Sequence, residues 1–209
     1  MTDLQERDAV VAAASRPPFA EFASIARLSR DVVVTEKIDG TNAQVHIAED
    51  GQVFAGSRSR WITPEDDNFG FARWVAEHAD ELRALGPGSH FGEWWGSGIQ
   101  RKYGLSEKRF SLFNVHRWHS PLNDSGDPVA MAGLTRCVEV PCCDVVPVID
   151  RWTFDTGRID GKLEKLATFG SFAAPGFMKP EGIVVYHAAS KTLFKKTLDK
   201  NDGHKSAHV

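Results

Sequence analysis

The stretch Thr35-Glu36-Lys37-Ile38-Asp39-Gly40-Thr41-Asn42 decides how this chain of 209 residues is interpreted. It places a lysine inside a strand-like, β-branched run and follows that lysine with Asp-Gly, a pair typical of turns. A turn at this point would aim Lys37 at whatever lies beside the strand. Lysine acts as a nucleophile only when its amine is neutral, which burial or nearby cations favour. Taken alone, the segment is equally consistent with an edge-strand lysine that leads into a turn.

The composition is that of a globular protein, with 42% hydrophobic and 25% charged residues, which excludes wholesale disorder. No apolar stretch approaches the roughly 20 residues that span a bilayer, and the N-terminus lacks the pattern of a secretory signal. We therefore expect no membrane association. Three cysteines are an odd number, which argues against a disulfide framework and favours a cytoplasmic location. The net charge of -3 excludes a broadly basic nucleic-acid wrapper, so a nucleic acid would have to bind a local patch.

The residue pattern predicts an α+β fold of mostly antiparallel strands with a few flanking helices. Strands are expected at residues 32–47, 52–55, 91–95, 110–115, 138–148, 182–186 and 192–197. Helices are expected at residues 68–85, capped by Asn68, and at residues 158–169. We expect a short leader at residues 1–15 and one domain at residues 16–205.

Five further segments accompany the lysine segment: Ser57-Arg58-Ser59-Arg60, Phe91-Gly92-Glu93-Trp94-Trp95-Gly96, Phe110-Ser111-Leu112-Phe113-Asn114-Val115, Glu181-Gly182-Ile183-Val184-Val185 and Leu193-Phe194-Lys195-Lys196. The lysine segment resembles motif I of ATP-dependent ligases and mRNA capping enzymes. The other five resemble, in order, the Ser-Arg element of RNA ligases and nucleotidyltransferase motifs III, IIIa, IV and V. Each short motif is weak alone, whereas the ordered set is specific.

Asn42 indicates the branch of this superfamily. It stands five residues after the motif I lysine, where DNA ligases and capping enzymes typically have arginine. The sequence therefore resembles the nick-sealing RNA ligases of phages and their cellular relatives. The resemblance implies an ATP-grasp-like ligase domain with its nucleotide pocket between antiparallel sheets. We expect neither an OB-fold nor a helical C-terminal domain, because only about a dozen residues follow Lys196.

The resemblance implies an ATP-dependent RNA ligase that joins a 3′-hydroxyl to a 5′-phosphate through lysyl-AMP and an RNA-adenylate. Lys37 would be the nucleophile, and Lys195 would neutralise charge on the α-phosphate. Glu181 would offer hard oxygens to Mg²⁺ or Mn²⁺. Motif V is often Lys-x-Lys, so the adjacent pair here puts only one lysine squarely towards the nucleotide. We favour Lys195, with Lys196 nearby or in contact with RNA.

The remaining implied contacts surround the nucleotide. Glu93 would accept a hydrogen bond from a ribose hydroxyl, and Phe113 would stack on adenine. Arg58 would make forked contacts to phosphate or ribose oxygens. Glu36 would help to read the adenine amino group, and Asn42 would contact phosphate in the second step. Motif IIIa here ends in Phe-Asn, where the family often has Phe-Asp, which removes one negative charge from the pocket edge.

Two alternatives stay open at the sequence level. One is a minimal ligase for DNA or mixed nicks, and the other is a self-adenylylating domain that needs a protein partner to hold RNA. We expect RNA ends or a nicked RNA duplex as the substrate and a monomeric protein. Basic residues such as Arg101-Lys102 fit an RNA track or a solvated face equally well, as do Arg60 and Trp61.

Overall fold

The structure is a computed structural model that describes residues 18–118, 135–137 and 139–199. Its strands are β1 (Asp31–Lys37), β2 (Thr41–Ile47), β3 (Val53–Gly56), β4 (Trp61–Ile62), β5 (Gly88–Gly96), β6 (Lys108–Leu112), β7 (Thr135–Arg136), β8 (Asp144–Val145), β9 (Val148–Thr153), β10 (Gly182–His187) and β11 (Thr192–Thr197). Its helices are α1 (Phe71–Glu77), α2 (Ala79–Leu82) and α3 (Thr156–Phe169), with a 3₁₀ turn at Arg83–Leu85.

The strands form two sheets, which confirms the predicted α+β fold. The first sheet has the order β11-β10-β1-β9, and the second has the order β4-β3-β2-β5-β6-β8-β7. The pairs are antiparallel except β6 with β8, which is parallel. No helix in the described part of the chain is long and apolar enough to cross a membrane.

Each face of the first sheet packs against a different partner. Alternate residues of β1, such as Val32 and Val34, point into an apolar cluster with Leu166 of α3. The other face looks towards the second sheet, and there Val33 packs against the larger apolar core, which contains residues of both sheets. Because strand side chains alternate between faces, β1 contributes both to the α3 core and to a cleft between the sheets.

Two local predictions were wrong. Residues 32–47 form two strands, because the chain leaves β1 and enters β2 in the other sheet. The predicted helix at 68–85 begins only at Phe71, since Phe69 and Gly70 have left-handed φ values of 53° and 81°. It then divides into α1, α2 and the 3₁₀ turn. Its N-terminal amides donate to Asp67, at 2.7 Å from Ala72 N and 3.1 Å from Arg73 N, so Asn68 is not the cap.

The other predicted elements lie close to their expected positions. Strands β3, β10 and β11 match within one residue, and β5 begins three residues earlier than expected. Helix α3 begins at Thr156, with the Asp155 carboxylate accepting from Gly157 N at 2.8 Å. β6 ends earlier than expected, at Leu112. The segment predicted as one strand at 138–148 contains β8 and the start of β9. Residues 1–15 and Val138 lie outside the described residues, as do residues 200–205 of the predicted domain.

Gly40 lies in the connection between β1 of the first sheet and β2 of the second, where the backbone passes close to β5. A Cβ atom there would lie 2.4 Å from the Trp94 carbonyl oxygen and 2.7 Å from Trp95 Cβ. Both contacts involve atoms of β5 that have little freedom to move. The glycine of the Asp-Gly pair is therefore required by close backbone approach, and its φ lies outside the left-handed region.

We expect Gly40→Ala to lower the free energy of unfolding by about 1–3 kcal/mol, because the methyl group forces β5 and the turn apart. Gly161→Ala is the matched control. Gly161 lies within α3 and has open space around its Cα, so alanine should stabilise the protein by about 0.5–1 kcal/mol. Urea unfolding measures both. Equal effects of the two substitutions would contradict the close-approach argument.

Candidate active site

Lys37 and Glu181 form the centre of the cleft between the sheets. Lys37 Nζ donates to Glu181 Oε2 at 2.7 Å, and the two side chains are 24% and 16% exposed. The antiparallel register pairs Lys37 with Gly182, which places Glu181 beside the lysine although 144 residues separate them in sequence. The first sheet thus brings the segment that resembles motif I, through Lys37, into contact with the segment that resembles motif IV, through Glu181.

Glu93 adds a second carboxylate from the second sheet. Its Oε1 accepts a hydrogen bond from Gly40 N at 3.0 Å, and no other described group bonds its side chain. Burial raises the pKa of Glu93 to about 7, with the Lys37 charge and the Gly40 amide opposing the rise and Glu181 adding to it. Lys37, Glu93 and Glu181 are therefore electrostatically coupled, and Glu93 Oε2 is available to a ligand.

The turn after Lys37 is held by residues from distant parts of the chain. Tyr103 Oη accepts from the Asp39 amide at 2.8 Å, and Arg101 Nε donates to Asp39 Oδ2 at 2.9 Å. The same guanidinium donates to the Lys179 carbonyl at 3.1 Å and pairs with the Asp199 carboxylate. Arg101 thereby ties the lysine turn to the segments on either side of the β10–β11 hairpin. Sequence reasoning assigned Arg101 only to a basic cluster and found no signal for Tyr103.

A cavity of about 210 Å³ collects three of the predicted nucleotide contacts on the second sheet. Its lining consists of Asn42, Ala43, Gln44, Ser57, Arg58, Phe91 and Phe113. Asn42 pairs with Glu93 across β2 and β5, so the cavity adjoins the charged centre of the cleft. Phe113 is 40% exposed and can present a ring face. Arg58 has no ion pair or side-chain hydrogen bond with any described residue, which leaves its guanidinium available for an anion.

The two motif V lysines lie on opposite faces of the first sheet. Lys195 pairs with Val184, which pairs with Thr35, so Lys195 shares the cleft face with Lys37. Lys196 lies on the α3 face, where its ammonium pairs with Asp160. The adjacent lysines therefore cannot both face the cleft from this strand. We correct the nucleotide-binding set accordingly and leave the Lys196 side chain out of it.

Glu36 also points away from the cleft. Its buried carboxylate accepts from Ser171 Oγ at 2.6 Å and from the amides of Phe172 and Ala173 at 2.7 and 2.9 Å. These contacts fix the loop between α3 and β10. Burial raises the pKa of Glu36 to about 7, although the three donors act in the opposite direction. The side chain is occupied on the α3 face, so we correct the expectation that it reads adenine.

The chemistry of the donors is consistent with a divalent cation that arrives with its substrate. In the described part of the chain, no three acidic, histidine or cysteine side chains are grouped to hold a metal ion by themselves. Mg²⁺ is commonly held by one or two carboxylates together with phosphate oxygens and water. Glu181, next to the free oxygen of Glu93, fits that pattern.

A larger open depression of about 470 Å³ lies around Trp94, Arg73 and Lys108. It contains none of the predicted site residues. Trp94 and Glu93 are consecutive on β5, so their side chains point to opposite faces of the second sheet. We place the site in the smaller cleft, because the coupled carboxylates and the lysine are there.

One family model and several solved structures match this chain. The RNA ligase family matches residues 30–198, whereas no curated protein matches the chain. Three mutants of a Naegleria gruberi RNA ligase have a fold similar to that of this chain. The mutant with ATP and Mn has a TM-score of 0.55 and 20% sequence identity. The mutant with AMP and Mn and the mutant without ligand each have a TM-score of 0.52 and 19% sequence identity. Each match covers 81% of this chain and 50% of the other, so this chain spans about half the length of those ligases.

The placement of Glu36 predicts a pH-dependent contribution to stability. Its carboxyl group has a pKa of about 7 when folded, against an ordinary value of 4.5, so the folded state binds the proton more tightly. Stability must therefore fall as pH rises from about 4.5 through 7. Between pH 5 and 8.5 we expect Glu36 to contribute a loss of about 2–3 kcal/mol in the free energy of unfolding. Glu36→Gln removes this contribution and leaves the similar one of Glu93, whose pKa is also raised to about 7.

Urea unfolding of both proteins across that pH range measures this difference. Glu164→Gln, on the exposed side of α3, is the control and should leave the pH dependence unchanged. If Glu36→Gln unfolds with the same pH dependence as the wild type, the carboxyl group does not titrate as argued.

Proposed function

The chain belongs to the RNA ligase family, and from that premise we propose that it is an ATP-dependent RNA ligase. It would join an RNA 3′-hydroxyl to a 5′-phosphate through lysyl-AMP and an RNA-adenylate. The observation that carries the proposal is the contact of Lys37 with Glu181 at 2.7 Å, in a cleft that also contains Glu93. Lys37 thus lies near two carboxylates, those of Glu181 and Glu93, which could bind a metal ion that arrives with the triphosphate.

Lys37 would attack the α-phosphorus of ATP, forming a P–N bond while the bond to pyrophosphate breaks. An ammonium group has no lone pair, so the ion pair with Glu181 must open and Lys37 must lose a proton before attack. Lys195, on the same face, supplies a positive charge against the α-phosphate as negative charge grows there. Mg²⁺ or Mn²⁺, bound by Glu181 directly or through water, would supply further positive charge to the phosphates.

The remaining cleft residues would bind and orient the nucleotide. Phe113 offers a ring face to adenine, and Glu93 Oε2 can accept from a ribose hydroxyl. Arg58 has a guanidinium without an ion pair to any residue that the structure describes, which suits it to phosphate or ribose oxygens. Asn42 lies in the cavity beside Glu93 and would contact the phosphate in the step that transfers AMP to RNA. We propose a monomer in the cytoplasm; all three cysteines are free, which is consistent with a reducing compartment.

Incubation with labelled ATP and Mg²⁺ tests the assignment of Lys37. We expect the wild type to retain label from α-labelled ATP, and none from γ-labelled ATP, on a denaturing gel. Lys37→Ala and Lys37→Arg should both lose the adduct, because arginine keeps the charge but not the nucleophilic amine. Lys165→Ala, on α3, is the matched control. Undiminished labelling of Lys37→Ala would refute the assignment, and labelling without sealing of a nicked RNA duplex would favour the self-adenylylating alternative.

The register of β11 predicts unequal effects for its two lysines. Lys195→Ala should slow adenylylation about 100- to 1,000-fold at any ionic strength, the usual effect of removing a preorganised charge from a developing anion. Lys196→Ala should slow it far less, because that side chain pairs with Asp160 on the other face. Single-turnover adenylylation at low and high salt measures both. The reverse ranking would mean that the β11 register differs from the one described.

A further inference from the structure

Three rings form a cluster on the second sheet, outside the cavity that contains Arg58. His46 and Trp61 have ring centroids 5.8 Å apart, Phe54 and Trp61 6.1 Å, and His46 and Phe54 6.3 Å. We call His46, Phe54 and Trp61 the aromatic platform. Neighbouring aromatic rings usually bury one another in a core, yet Phe54 is 42% and Trp61 is 56% exposed.

The platform is held in position rather than loosely attached. A Cβ atom at Gly56 would lie 3.3 Å from two ring carbons of Trp61, so the indole rests against the backbone of β3. Ser89 Oγ lies 2.9 Å from His46 Nδ1 and accepts from Gln44 Nε2 at 2.8 Å, which fixes the imidazole on β2. The platform is therefore preorganised, with ring surface open to solvent.

The same sheet face continues from the platform into the nucleotide cavity. The register places Trp61, Gly56, Gln44 and Phe91 in one row across β4, β3, β2 and β5. Gln44 and Phe91 line the cavity, and Phe91 is 56% exposed. Side chains that pair directly across strands share a face. An extended polymer that lies along this row therefore contacts the platform on its way into or out of the cavity.

We propose that the aromatic platform binds unpaired bases of the RNA strand whose end lies in the cavity. This inference rests on the proposed ligase function and assigns the part of the sheet that receives the strand. Stacking on aromatic rings is the common way to hold single-stranded RNA without reading its sequence. The guanidinium of Arg58, on the β3–β4 connection and lining the cavity, supplies a cation for the phosphate between platform and cavity.

The chemistry of the surface favours RNA over a protein partner. The platform rings contact one another, and the polar side chains of Gln44 and Ser89 border them. Arg58 lines the adjoining cavity and adds a positive charge. A protein interface of this size would need a more continuous apolar centre. Bases have flat apolar faces with polar edges, and a phosphate follows each one, which matches an aromatic surface bordered by polar side chains and one cation.

The test uses a single-stranded 12-nucleotide RNA with a 5′-hydroxyl end, so that binding is measured without reaction, and a duplex of the same length. We expect Phe54→Leu combined with Trp61→Leu to weaken single-strand binding about tenfold or more in fluorescence anisotropy. Trp61→Phe alone keeps an aromatic ring at this position, so it should retain most of the wild-type affinity for the single strand. Phe169→Leu, an exposed aromatic at the end of α3, is the matched control and should have no effect.

Salt dependence separates stacking from charge. The double variant removes no charge, so its loss should persist at high salt with an unchanged slope, whereas Arg58→Ala should reduce the slope. Bases in a duplex are already stacked, so duplex binding should change little. An unchanged single-strand affinity, or an equal loss for strand and duplex, would overturn the proposal. So would self-association of the wild type that the double variant abolishes while its RNA affinity stays the same.

The binding measurement is independent of the ligase assignment, because it requires no ATP. Failure of the wild type to form lysyl-AMP would remove the proposed function and leave the platform measurement intact. If the double variant labels Lys37 normally but binds single strands as tightly as the wild type, only the platform is refuted. Normal labelling also shows that the double variant is folded.

Discussion

The antiparallel pairing of β1 with β10 is the constraint on which the site depends. It sets Lys37 opposite Gly182 and so brings Glu181 to 2.7 Å from the lysine. β11 pairs with β10 in turn, and that second register decides which of its lysines faces the cleft. A shift of β1 by one residue would turn Lys37 towards α3, because strand side chains alternate between faces. The register is held by the apolar residues that β1 and β10 bury against α3.

The chain passes from the first sheet to the second directly after β1, through the turn that contains Gly40. Gly40 allows the backbone to pass against β5, and its amide binds Glu93, so the turn that ends β1 also orients the second carboxylate. Arg101 and Tyr103 hold the same turn from the other side through Asp39. These contacts give the short segment after the lysine little freedom, which suits a site whose groups must be preorganised around developing charge.

The distribution of charge is compatible with the proposed action of an acidic protein on a polyanion. The net charge is -3, so long-range attraction of nucleic acid by the whole molecule is absent. Positive groups are instead placed individually, with Lys37 and Lys195 on one sheet and Arg58 on the other. The carboxylates of Glu93 and Glu181 lie between them, where a divalent cation bound with the nucleotide would offset their charge. In the function we propose, binding of a strand would rely on stacking surface as well as on cations.

The sequence by itself determined the α+β class, the nucleophile candidate, the hairpin of β10 and β11, and the separation of Lys195 from Lys196. These follow from local rules, namely strand alternation, turn residues and the order of short motifs. Only the tertiary structure decided which face of β1 meets the cleft, and hence that Glu36 binds a loop while Lys37 meets Glu181. It also decided the roles of Asp67, which replaces Asn68 at the start of α1, and of Arg101 and Tyr103. Arg101 and Tyr103 act on Asp39 across more than 60 residues of sequence, and no local pattern encodes such a contact, because it exists only when two sheets pack together.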